Sequence, residues 1–215
     1  MKPTKTKLLT SLTALVAALM PSLAQANFYD GVRGPSKAQI HYTLSDQKVL
    51  SHTLAGKYFG EELFAVGAAS VNGESFLGSF AGVGYIAEEF KRIKAIPVVG
   101  YGLSGDGKQG TLNTILQATA FLDENGTFLA DPRYILSVPM HGQENHTPAH
   151  TFGLTLSAGN ERVRVGPDFN YSLKEQKLTG GALLRYDIDA TSHSSWVELG
   201  FGTAGGAQLQ FRGNF

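Results

Sequence analysis

The chain of 215 residues contains no cysteine. A disulfide framework, the common support of a small secreted domain, is therefore excluded. Charge of one sign is missing too, since 18 basic and 18 acidic residues cancel. That balance argues against a nucleic-acid partner, which selects for a basic surface. Past residue 26 no long apolar run occurs, so no helix is expected to cross a membrane, which takes roughly 20 apolar residues. No segment carries a convincing 3.6-residue apolar stripe. The best, Ile86 to Lys94, is short and charged.

The amino terminus has the layout of a secretory leader. Lys2, Lys5 and Lys7 precede an apolar stretch from Leu8 to Met20, then Pro21 and the small-x-small site Ala24-Gln25-Ala26. This predicts a signal peptide over 1–26, cleaved after Ala26. No cysteine follows that site to take a lipid. The mature chain, 27–215, then has the length of one domain and keeps 15 basic against 18 acidic residues, a net charge of −3. Residues 27–36 are expected to form a short periplasmic segment or a small plug.

From residue 37 onward, period-two alternation dominates, the mark of strands with one apolar and one wet face. Twelve segments are predicted, at about 37–45, 48–58, 62–72, 76–87, 92–104, 111–122, 127–138, 150–159, 161–174, 177–189, 195–203 and 206–215. Segments 62–72 and 76–87 are rich in Gly and Ala and alternate weakly. Asn72-Gly73, Asp106-Gly107, Asn125-Gly126, Gly159-Asn160 and Gly205-Gly206 supply turn chemistry. Such a pattern builds a barrel or a sandwich. Segment lengths match the ~9–11 residues of a tilted membrane strand. Charges in mid-strand on the wet face do not suit a sandwich core, which cannot bury them unpaired. A soluble β-sandwich is the competing fold. Pro97, Pro132 and Pro167 fall inside predicted strands, where a missing N–H breaks the ladder; strand counts of ten or eight are the alternatives to twelve for that reason.

The last nine residues alternate without a fault. Ala207, Leu209, Phe211, Gly213 and Phe215 share one face, and Gln208, Gln210, Arg212 and Asn214 the other. A terminus that ends in an aromatic strand is unusual for a soluble domain, whose ends fray. This strand resembles the C-terminal signal strand of bacterial outer-membrane β-barrel proteins. The resemblance implies an all-β, transmembrane, antiparallel up-and-down barrel over 37–215 in the outer membrane of a Gram-negative cell. It also implies contact with outer-membrane lipid and lipopolysaccharide, and handling by the barrel-assembly machinery. With the N-terminus in the periplasm, gaps 105–110 and 139–149 face outside, and short turns are expected on the periplasmic side.

By parity, Arg92, Lys94, Arg162, Arg164, Arg185 and Arg212 point into the lumen in its periplasmic half, and Arg133 and Lys174 also point inward. A basic ring in a narrow passage favours anions, which predicts a small porin-like channel for small anionic solutes. Asp131, Asp168, Asp187, Asp189 and Glu198 share the inward parity, so the alternative is a salt-bridged plug in a structural or interaction barrel that presents outer loops. An outer-membrane lipid hydrolase is a third reading. Its nearest candidates are His193-Ser194-Ser195, with His41 and His52, but no known motif gives the serine a base within reach. No catalytic residue, metal or cofactor is assigned. His141, His146 and His150, beside Glu144 and Met140, fit no structural zinc spacing and read as a solvated loop.

Overall fold

The computed structural model describes residues 38–46, 50–73, 75–85, 93–143, 146–160, 162–188, 195–202 and 206–214. Residues 1–26, predicted as a signal peptide, residues 27–36, Arg92, Glu144, His193, Ser194 and Phe215 lie outside them. Among the described residues every regular element is a strand. In chain order they are β1 Ala38–Asp46, β2 Leu50–Phe59, β3 Leu63–Asn72, β4 Ser75–Tyr85, β5 Ile93–Ser104 and β6 Gly110–Phe121. The second half holds β7 Phe128–His141, β8 Ala149–Gly159, β9 Val163–Ser172, β10 Lys177–Asp187, β11 Trp196–Gly202 and β12 Ala207–Asn214. All twelve predicted strands are present, each end within three residues of expectation.

Each strand pairs antiparallel with its neighbours in sequence, and β1 closes on β12 from Gln39–Asn214 to Asp46–Ala207. The result is a closed barrel without an edge. Closure leaves no strand to template aggregation. The start of β1 and the end of β12 share one end of the barrel, here the terminal end. Turns after odd-numbered strands lie at the opposite, far end.

Alternation separates two surfaces. Outward positions are large and apolar, among them Leu54, Tyr58, Leu63, Val83, Val165, Leu178 and Phe201, all more than half exposed. Inward positions are covered. On β1 these are Gln39, His41, Thr43 and Ser45, and on β12 Gln210 and Arg212.

The three prolines explain themselves in the register. Pro132 pairs with Leu154 on one side, but the β6–β7 ladder lapses beside it, between Gln117–Arg133 and Ala120–Ala130. Pro167 pairs with Ala182, and the β8–β9 ladder lapses between Thr155–Asp168 and Ala158–Val165. Pro97 pairs with Leu116, one position past the last β4–β5 pair, Gly84–Val98. Each missing N–H thus sits where one ladder already breaks, which is how twelve strands accommodate proline.

Two expectations change. The gaps 86–92 and 188–195 at the terminal end are as long as 142–148 at the far end. The expected contrast of short and long loops is therefore absent, because β7 runs on to His141 and shortens its loop. The interior is also not uniformly hydrophilic. Ala55, Phe64, Val66, Ala68, Phe80, Ile96, Val98, Ile115 and Ile135 form one buried apolar cluster along β2 to β7. The Phe80 ring reaches over Gly100, where a Cβ would meet it at 2.3 Å, and the Phe64 ring covers Gly84 in the same manner. Glycine serves here as a bed for an aromatic ring on the neighbouring strand.

Candidate functional site

The polar wall runs from β7 through β12 to β1 and holds two charged groupings. In the first, four adjacent strands bring inward residues into one row. Asp187 of β10 opposes Trp196 of β11, Trp196 opposes Arg212 of β12, and Arg212 opposes His41 of β1. Directly opposed side chains stand about 4.5–5.5 Å apart at Cβ, so register alone makes them neighbours. The next row brings Arg185, Glu198, Gln210 and Thr43 together in the same way.

Arg185 donates from Nε and Nη2 to Glu198 Oε2 at 2.9 and 2.7 Å. Its guanidinium carbon lies 4.5 Å from the centre of the Trp196 ring, and that of Arg212 lies 5.5 Å away. His41 meets the same indole edge-on, with ring centres 6.1 Å apart. Trp196 and Arg212 are fully covered. Both ring nitrogens of His41 and Nε1 of Trp196 are buried with no hydrogen-bond partner among the described residues. Two guanidinium groups against one indole gain cation–π attraction, which grows as water is removed.

The second grouping is Arg133 on β7. It lies along the wall over Gly153, where a Cβ would come within 2.3 Å of Nε. Its N–H groups reach Asn170, Thr155 and Asp168, the last at 2.6 Å. Asp168 accepts from Thr155 and Asn170 as well. This satisfied network ties β7, β8 and β9 together.

The structure brings Arg185 and Arg212 together around Trp196, and it sets Arg162 and Arg164 apart from them. Arg164 is half-buried and donates from Nη2 to the Gly126 carbonyl in the β6–β7 turn at 2.6 Å. Arg162 is exposed in the turn before β9, its amide bonded to Asn160 Oδ1. Lys94 pairs through its backbone with Thr119, and its side chain lies outside the description, as does Arg92 altogether. Alternation puts His41 and Trp196 on the inward face, but the sequence offered His41 only as a hydrolytic candidate and did not single out Trp196. Buried Lys57 on β2 was not singled out from the sequence.

No three acid, histidine or cysteine side chains among the described residues are grouped to hold a metal. His141 and His150 instead each meet a tyrosine hydroxyl. Of the hydrolytic candidates, His41 is buried beside Trp196 and His52 is hydrogen-bonded to Tyr42.

Solved structures share this architecture. The chain is similar to the KdgM porin, with a TM-score of 0.61 at 13% identity, over 82% of this chain and 99% of that one. A KdgM porin in complex with disordered oligogalacturonate gives 0.62 at 13% identity, over 82% and 99%. The NanC porin gives 0.55 at 8% identity, over 83% and 98%. The fold is a porin fold. No protein-family model matches the chain, and no curated protein matches it in sequence.

Proposed function

We propose that the protein is an integral outer-membrane barrel that passes small anionic solutes. Its apolar outer wall meets hydrocarbon, and closure satisfies the backbone where water is absent. The observation that carries the anionic preference is the pair of guanidinium groups, Arg185 and Arg212, against Trp196 inside the barrel, with the Glu198 and Asp187 carboxylates in the same two rows limiting the excess of positive charge. Fixed positive charge in a narrow, poorly hydrated passage attracts anions. Arg164 extends that charge toward the terminal end, and Arg162, Lys94 and Arg92 are assigned to the same approach. One of the similar porins is described in complex with an oligogalacturonate, itself an anion, which supports the same solute class.

A second reading has its own support. Trp196 and Arg212 are fully covered, and Arg133 and Arg185 are bonded to carboxylates. A barrel filled in this way is a structural or interaction protein that displays its far-end turns. Planar-bilayer recordings in a salt gradient separate the two. The channel reading expects an anion-selective reversal potential that moves toward zero in Arg212→Ala. Absence of conductance above background, or cation selectivity, sinks it in favour of the filled barrel.

A further inference from the structure

The outer wall carries a polar motif that the channel reading does not use. Tyr42 on β1 bonds His52 on β2 (hydroxyl to Nδ1, 2.6 Å), and Tyr134 on β7 bonds His150 on β8 (2.8 Å). Both pairs have one geometry. Tyr42 opposes Leu54 and Tyr134 opposes Phe152, and in each case the histidine lies two residues nearer the far end. A third pair, Tyr101 with His141 (2.7 Å), bridges from β5 to β7. It meets over Gly110 of β6, where a Cβ would fall 1.9 Å from the tyrosine oxygen and 2.4 Å from the imidazole. The rings of this pair stack at 22°. All three pairs stand on the outward face, among exposed Leu50, Leu54, Leu103, Leu112 and Phe152.

A phenol is a better donor than a neutral imidazole, so each hydroxyl donates to Nδ1 and leaves the proton on Nε2. Each histidine therefore offers one N–H that the described residues do not engage. In a membrane such a donor needs an acceptor from the lipid, since an unmet N–H there costs several kcal/mol. Two of the three sites also adjoin a turn with an exposed lysine. The Lys108 carbonyl packs against Gly142, next to His141, and the Lys108 side chain is 81% exposed. The Leu173 amide donates to the His150 carbonyl at 3.0 Å, which sets exposed Lys174 beside that pair. Asp106 lies 3.9 Å from Lys108 Nζ, and Glu175 is also exposed next to Lys174.

We propose that these tyrosine–histidine pairs form a belt that binds the phosphate groups of lipid headgroups in the leaflet at the far end. The inference rests on the reading of the outer wall as lipid-facing. Imidazole Nε2–H and the neighbouring ammonium donate to phosphate oxygens, and the apolar wall below them takes the acyl chains.

The test uses the full folded protein in nonionic micelles, mixed with bisphosphorylated lipid A or its dephosphorylated form. Native mass spectrometry counts the lipid retained. We expect the phosphorylated form to be favoured roughly tenfold, the effect of one net hydrogen bond to a charged group. The variant carrying His52→Phe, His141→Phe and His150→Phe keeps the rings and should bring the two lipids to parity. If that variant does not fold, His141→Phe alone is expected to lower the preference. Equal retention by the unaltered protein, or a preference that survives loss of the histidines in folded variants, overturns the belt. Failure of the protein to insert into lipid vesicles overturns the lipid-facing reading itself, whereas insertion without phosphate preference overturns only the belt.

Discussion

Removing the Glu198 carboxylate tests the interior most directly. Both Arg185 and Glu198 are about nine-tenths covered, at 10% and 8% side-chain exposure, and they share two hydrogen bonds to one oxygen. Breaking a buried pair from one side costs about 3–5 kcal/mol where the remaining charge has no other partner. Arg185 keeps Trp196 and its other contacts in the variant, which puts the cost at the low end of that range. Glu198→Ala should therefore destabilise the barrel by about 3 kcal/mol. Removing both charges, as Arg185→Met with Glu198→Leu, should recover most of the loss. Urea unfolding from lipid vesicles measures this, followed by the fluorescence of Trp196, the single tryptophan of the chain. If the passage is filled with water at this level, the pair behaves as an exposed one and its loss costs about 1 kcal/mol or less. A Glu198→Ala protein as stable as the unaltered one, or a double variant no better than the single, refutes the buried-pair argument.

Two further outcomes follow from the geometry. Gly100→Val displaces the Phe80 ring from its bed and should destabilise by about 1–3 kcal/mol in the same unfolding assay; adding Phe80→Ala should relieve part of the loss, and no relief would disprove the contact. At the β6–β7 turn, Asp123 accepts the Phe128 amide at 2.8 Å, and that bond holds its carboxyl below the ordinary value of 3.8. Because the folded value is the lower one, the turn is fully stabilised above the ordinary value and loses that support as pH falls through the lowered one. A carbon-13 titration of the Asp123 carboxyl should show a midpoint under 3.8, and a midpoint at or above it contradicts the bond.

Strand number and parity were legible because one face of most strands is apolar and the other is not. β1, β9, β10 and β12 alternate most clearly, and in mid-strand their wet residues turn inward, with Leu183 of β10 as an apolar exception. β3 and β4 read weakly because both faces are apolar or small. Phe64, Val66 and Phe80 face the interior while Leu63, Val83 and Tyr85 face out. The prolines misled for a related reason. A one-dimensional pattern shows the missing donor, but not that the neighbouring ladder has already lapsed beside it.

The candidate site divides along the same line. Local alternation is enough to assign Arg185, Trp196, Glu198 and Arg212 to the inner face, since a strand sends successive side chains to opposite sides whatever its neighbours do. Which of them touch depends on the stagger between strands and on where β1 meets β12, distances set by chain segments far apart in sequence. Alternation therefore determined twelve strands, most with one greasy and one wet face, and the pairing of β1 with β12 decided that they close into a barrel. Pairing register alone decided that two arginines share one indole, that a third is pinned over a glycine, and that tyrosines meet histidines on the outer wall.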